Sequence, residues 1–119
     1  MAKILIVEDD SDFQDIYALY LQGESHQVLS ASNGKEGLAI LEKEIPDLII
    51  LDLIMPVMDG EEFYVRLREK ERWRHIPVLI ASVNDKMPPR VTDLGGIAGN
   101  LKKPFEIEAL LEKIRMNLK

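Results

Sequence analysis

Three short apolar runs stand out along the chain: KILIV at 3–7, LIIL at 48–51 and PVLIAS at 77–82. None alternates with polar residues. A run of this kind reads as a strand covered on both faces. Val28–Ala31 is a weaker strand of the same sort. Between these runs the apolar positions recur at helical spacing. Asp10 or Ser11 can cap a first helix, on which Phe13, Ile16, Tyr17 and Tyr20 form a stripe that stops at Gly23. Asn33 can cap a second, carrying Leu38, Leu41 and Ile45 and ending at Pro46. Phe63, Tyr64 and Leu67 predict a third helix to about Lys70. Ile107, Leu110, Leu111, Ile114 and Leu118 keep the 3.6 period most clearly and predict the last.

One segment breaks this rhythm. NDKMPPRVTDLGGIAGN, at 84–100, holds Pro88, Pro89, Gly95, Gly96 and Gly99. Only Pro89 to Leu94 can be helical, with Pro89 tolerated in the first turn. A weak strand is expected near Asn100–Lys102. Strands alternating with helices imply one α/β domain over residues 1–119, a doubly wound five-stranded parallel sheet with helices on both faces and a short or irregular fourth helix.

Composition narrows the function. Charged residues make up 30% of the chain, the formal net charge is -6 and there is no cysteine. Disulfides and thiolate metal sites are therefore excluded. A nucleic-acid surface needs a concentrated positive field, so none is expected. No apolar stretch is long enough to span a bilayer and the N-terminus lacks a signal-peptide layout, so a cytoplasmic location is expected.

In a doubly wound sheet the carboxyl ends of the strands open on one edge, where ligands bind. Here the first strand ends in Glu8, Asp9 and Asp10, the third in Asp52, the fourth in Ser82 and the fifth in Lys102, Lys103 and Pro104. Crowded carboxylates share protons or bind a metal. Hard oxygens without histidine or thiolate favour Mg²⁺ over Zn²⁺. Mg²⁺ held by few carboxylates takes further ligands from phosphate. Lys103 and Ser82 could engage other phosphate oxygens, and the Asp52 carboxylate is a possible nucleophile. The chemistry reads as phosphoryl transfer onto Asp52.

ILIVEDD, DLIILDLIMPVMDG, IPVLIAS and KKPF, in this order, resemble the receiver domain of two-component response regulators over the whole chain. The resemblance implies a flavodoxin-like fold, a phosphohistidine donor and a requirement for Mg²⁺. By position, Asp52 is similar to the phosphoacceptor. Glu8 and Asp9 match the acidic pair, with Asp9 the more direct metal ligand, and the Ile54 carbonyl would be a further ligand. Ser82 matches the hydroxyl residue that turns toward the phosphate, and Lys103 the family's lysine, with a cis bond before Pro104. The implied partners are a histidine kinase or a histidine phosphotransfer protein, and a downstream protein or an output domain outside this chain. A monomer is expected. The domain would assist its own phosphorylation and dephosphorylation without being a turnover enzyme.

The chain also departs from the family pattern. Val83 stands where a small residue is usual, and Asn100 where an aromatic switch residue is usual. With the broken fourth helix, these favour a rival reading as a constitutive interaction module with little dependence on phosphorylation. A third reading, a Mg²⁺ phosphatase with an aspartyl-phosphate intermediate, lacks the second aspartate two residues after the nucleophile, since that residue is Ile54.

Each residue also has a plainer reading. Asp52 can be a polar strand end before a turn, and Glu8–Asp10 a helix-capping cluster. Ser82 can be an ordinary strand-end serine. Lys102 is read as surface. The basic run RLREKERWRH, at 66–75, is either a solvated helix end or a docking surface for an acidic partner. His26 and His75 read as surface or loop residues, and Met55 and Met58 as packing or pocket rim.

Overall fold

A computed structural model describes residues 2–83 and 86–118. Its elements run β1 (Lys3–Val7), α1 (Ser11–Gly23), β2 (Gln27–Ala31), α2 (Gly34–Lys43), β3 (Leu48–Leu51), α3 (Gly60–Glu69), β4 (Val78–Ser82), α4 (Pro89–Leu94), β5 (Ile97–Lys102) and α5 (Ile107–Asn117). The strands form one parallel sheet in the order β2-β1-β3-β4-β5. The three unbroken apolar runs are the three central strands, buried at nearly every position, whereas the weaker β2 and β5 lie at the edges. A central strand of a doubly wound sheet meets helices above and below, so neither face tolerates a polar residue.

Strand side chains alternate between two cores. Leu5, Val7, Ile49, Leu51, Val78 and Ile80 face one layer, with Leu41 of α2, Phe63, Tyr64 and Leu67 of α3, and Val91 of α4. Ile4, Ile6, Leu48, Ile50, Leu79 and Ala81 face the other, with Tyr17 and Leu21 of α1 and Leu110, Leu111 and Ile114 of α5. The α1 face differs from the expected stripe. Tyr17 and Leu21 are buried and Phe13 packs beside them, while Ile16 and Tyr20 are 45% and 43% exposed. Two i,i+4 rows run along this helix, and the sheet takes the one at 13, 17 and 21. Ile45 lies beyond α2 and is exposed.

Side chains fix the helix starts. Asp10, rather than Ser11, caps α1 by accepting from the Asp12 N–H. Asn33 and Asp59 cap α2 and α3 in the same way. The fourth helix is the six-residue Pro89–Leu94 piece the prolines and glycines allow. Of the segment at 84–100, residues 84 and 85 lie outside the described residues. β5 begins at Ile97, earlier than expected, because Val78 pairs with Ile97 and Leu79 with Gly99, leaving an extra residue bulged between them. That bulge interrupts the pattern from which a strand is read. The turn before β5 is tied to α3. The Tyr64 hydroxyl donates to the Gly95 carbonyl, and the Arg68 guanidinium donates to the Gly96 carbonyl at 3.0 Å. Both glycines have positive φ. Arg90 of α4 also pairs with Glu61 of α3 at 2.9 Å.

Between β3 and α3 the chain makes two close turns. Val57 has φ +70°, and the Met58 N–H donates to the Pro56 carbonyl at 2.8 Å, which closes a γ-turn on a β-branched residue. Backbone of this kind costs on the order of 1–3 kcal/mol. Val57 is largely exposed, so Val57→Gly is expected to stabilise the protein by up to about 1 kcal/mol, the relief of strain being partly offset by glycine's larger unfolded-state entropy. The check is a higher urea midpoint at unchanged m-value. Gly60 meets a different constraint. A Cβ there would lie 2.2 Å from the Asp52 carbonyl oxygen and 2.6 Å from Leu53 Cα, so only glycine lets α3 start against the end of β3.

Candidate functional site

The strand order reverses direction between β1 and β3. A crevice opens at such a point, at the carboxyl ends of the strands. Glu8 and Asp9 follow β1 and Asp52 follows β3, so the topology places them on either side of it. One carboxylate oxygen from each of Glu8, Asp9 and Asp52 lies within 4.8 Å of the others. Glu8 and Asp52 are buried and Asp9 is exposed. Lys103, buried after β5, sends its Nζ to Glu8 Oε1 at 2.5 Å and to Asp52 Oδ2 at 3.4 Å. Lys102 beside it is exposed, as expected. Ser82 is buried at the end of β4, and its carbonyl accepts from the Lys103 N–H at 2.8 Å, which joins the ends of β4 and β5. The Lys103–Pro104 bond is cis.

Each carboxylate has a defined setting. The Ile54 N–H donates to Asp52 Oδ1 at 3.3 Å, which leaves Oδ2 facing the ammonium. Glu8 Oε2 accepts from the Asp10 N–H at 3.2 Å. Burial pushes the Glu8 carboxyl up to about 7, against the contact with Lys103 and with further help from the Asp52 charge. Three acids and one ammonium leave an excess of about two negative charges in a mostly buried site. A proton on Glu8 or a divalent cation relieves it. The donors are all hard oxygens, which fits Mg²⁺.

Sequence reasoning missed two contributors. Gln14 Nε2 donates to the Glu8 carbonyl at 2.5 Å and to the Ala31 carbonyl at 3.2 Å, tying the ends of β1 and β2 beside the acids. In the sequence Phe13 shows only as a position in the apolar stripe of α1, yet Lys103 Nζ lies 4.0 Å from its ring centroid. Neither shows a motif: Gln14 bridges two strand ends, 6 and 17 residues away, and the partner of Phe13 lies far along the chain.

The basic run at 66–75 is used within the fold. Trp73 is buried. The Arg68 guanidinium donates to the carbonyls of Arg74 and Ile76 and lies over the Tyr64 ring. Lys70 and Arg72 both reach Glu42 of α2, at 3.4 and 2.5 Å. Contact with Arg72 holds the Glu42 carboxyl below its usual range. His26 accepts from the Ala2 N–H, and His75 is exposed. Met55 is buried in the core that also holds Phe63, Tyr64 and Leu67 of α3, and Met58 packs against that core and against Gly34. Val83 and Asn100 are both exposed. Among the described residues, no helix is long and apolar enough to cross a membrane.

Comparison with known proteins identifies the fold and the family. The family model described as the response regulator receiver domain matches residues 4–115. Protein PilH of Pseudomonas aeruginosa is 34% identical over 115 residues, covering 96% of this chain and 95% of PilH. The chemotaxis response regulator CheY4 of Vibrio cholerae has a TM-score of 0.87 at 34% identity over 99% of each chain. TrrA of Thermotoga maritima, solved in complex with Mg²⁺–BeF, has a TM-score of 0.87 at 25% identity over 99% of this chain and 100% of its own. Other curated relatives are longer, and the chain spans about half their length. This chain belongs to the response regulator receiver domain family.

Proposed function

We propose that this domain accepts a phosphoryl group on Asp52 from a phosphohistidine of a histidine kinase or histidine phosphotransfer protein. The observation that carries this reading is the meeting of Glu8, Asp9 and Asp52 within 4.8 Å, with Lys103 Nζ beside them, at the switch point of the sheet. The Mg²⁺–BeF complex of the Thermotoga relative supports it. Glu8, Asp9 and Asp52 would hold Mg²⁺, with the Ile54 carbonyl as a further ligand. When bound, the ion supplies charge neutralisation for the transferring phosphoryl group.

The residues then divide the work. The Ile54 N–H and Lys103 orient the Asp52 carboxylate, and one of its oxygens attacks phosphorus. An O–P bond forms and the donor's P–N bond breaks, its electron pair returning to the imidazole. Lys103 turns from the Asp52 carboxylate to a phosphoryl oxygen, and Ser82 donates to another. Water later cleaves the acyl phosphate and restores Asp52. The domain assists both steps on itself and is not a turnover enzyme. It acts as a cytoplasmic monomer and passes the signal by contact with a downstream protein or output domain.

A second reading has its own observation. Tyr64, Arg68 and Arg90 fasten α4 and the following turn to α3, which fits a module whose surface changes little. One experiment decides. After incubation with acetyl phosphate and Mg²⁺, intact mass is expected to rise by one phosphoryl group in the wild type and not in Asp52→Asn. An unchanged wild-type mass favours the constitutive module. A gain retained in Asp52→Asn removes Asp52 as acceptor.

A further inference from the structure

We infer that Phe13 is a positioning residue for Lys103, holding its ammonium through the face of the aromatic ring while the group changes partners. This inference rests on the phosphoacceptor reading of Asp52. An ammonium has three N–H donors, and among the described residues Lys103 Nζ has three neighbours to receive them. Glu8 Oε1 lies at 2.5 Å, Asp52 Oδ2 at 3.4 Å and the Phe13 ring centroid at 4.0 Å. The ring carries negative charge density on its face. A cation this close and this buried gains more from that face than an exposed one does.

The ring itself is held in place. Phe13 packs on Tyr17 with centroids 6.0 Å apart and planes tilted 38°. Tyr17 is fully buried and stacks on Phe105 at 6.4 Å, with the planes 7° apart. Phe105 lies two residues beyond Lys103 on the same connection. The column therefore runs from the ammonium back to the backbone that carries it. Lysine needs such support because its stem is long and flexible.

The type of contact matters for the reaction. When Asp52 becomes an acyl phosphate, the ammonium must move from Oδ2 to a phosphoryl oxygen. A hydrogen-bond acceptor in place of Phe13 would have to be broken or stretched by that move. A ring face tolerates lateral displacement, since its attraction is spread over the surface. Glu8 and Phe13 thus form two fixed points about which the lysine swings.

The test replaces Phe13 with leucine, with tryptophan and with trifluorophenylalanine, the last keeping the shape while weakening the ring's negative face. Phosphoryl gain from acetyl phosphate is followed by intact mass, Mg²⁺ affinity by titration, and the Lys103 ε-methylene protons by NMR. In the wild type those protons are expected to be shifted upfield by the ring. Phe13→Leu is expected to lose the shift and slow phosphoryl gain about tenfold, the equivalent of about 1.4 kcal/mol. Tryptophan is expected to restore the rate and the fluorinated ring to fall between, with Mg²⁺ affinity within about twofold throughout. A fluorinated protein that reacts at the wild-type rate, or a tryptophan variant as slow as leucine, overturns the positioning role. Unshifted Lys103 protons in the wild type overturn the contact itself. A wild type that shows the shift but gains no mass favours the constitutive module and reduces Phe13 to a packing residue.

Discussion

Asp52→Asn is expected to stabilise the metal-free protein while weakening its hold on Mg²⁺. Asp52 faces two carboxylates, Glu8 and Asp9, and one ammonium, Lys103. Where Glu8 is ionised, above about pH 7, removing the Asp52 charge deletes two repulsions and one attraction, and Lys103 keeps its closer partner, Glu8. The net gain is on the order of 2 kcal/mol, taking unit charges a few ångströms apart in a partly screened site. For the wild type, Mg²⁺ at a hundredfold excess over its dissociation constant adds about 2.7 kcal/mol. A tenfold loss of affinity in Asp52→Asn removes about 1.3 kcal/mol of that gain at the same concentration.

The same crowding sets a pH dependence. The Glu8 carboxyl titrates at about 7 in the folded chain against 4.5 unfolded. Between these values the folded state binds the extra proton, so stability falls as pH rises from 4.5 to 7. Below this window both states are protonated, and above it both are ionised and the loss is complete. The slope is at most about 1.4 kcal/mol per pH unit, and it should flatten in Asp52→Asn, which lacks one of the charges that raise Glu8. Thermal melts of both proteins across this range, with and without Mg²⁺, provide the check. A wild type indifferent to Mg²⁺, together with a substitution that only destabilises, would mean that the acids do not form a metal site.

Val83→Ala is expected to speed both gain and loss of the phosphoryl group. Val83 directly follows Ser82 at the carboxyl end of β4 and is 59% exposed, so it stands at the rim of the edge where donor and water must enter. Its branched side chain has a stiff χ1 and does not swing aside readily. Attack on phosphorus, in either direction, needs in-line approach, and modest misplacement can cost on the order of a hundredfold in rate. The wild type should therefore react slowly with small donors and hold its phosphate for long. Mg²⁺ affinity should change little, because the acids follow other strands. Rates of phosphate gain and decay, measured at matched Mg²⁺ for the two proteins, test this. Equal rates in both directions would refute the steric argument.

What the chain displays locally and what it conceals have physical reasons. The three central strands were legible because burial on both faces leaves an unbroken apolar run, and the short α4 because proline and glycine act through their own backbones. The acids and the lysine were legible as strand-end residues, since a parallel sheet sends every such end to one edge. The inward face of α1 was not: 16 and 20 satisfy helical spacing as well as 13, 17 and 21 do, and only the sheet chose between them. β5 looks short in the sequence because its bulge breaks the two-residue period. The basic run at 66–75 could not be assigned from its charges, because its partners, Glu42 and the Gly96 carbonyl, lie far away in the chain. Lys103 was placed at the site by its neighbours in sequence, but its seat on Phe13, 90 residues earlier, was decided by the packing of α1 beside the β5–α5 connection. Sequence determines what each residue can do through its own chemistry and period. A contact between residues that share neither strand nor helix exists only once the sheet and its helices have set the distance between them.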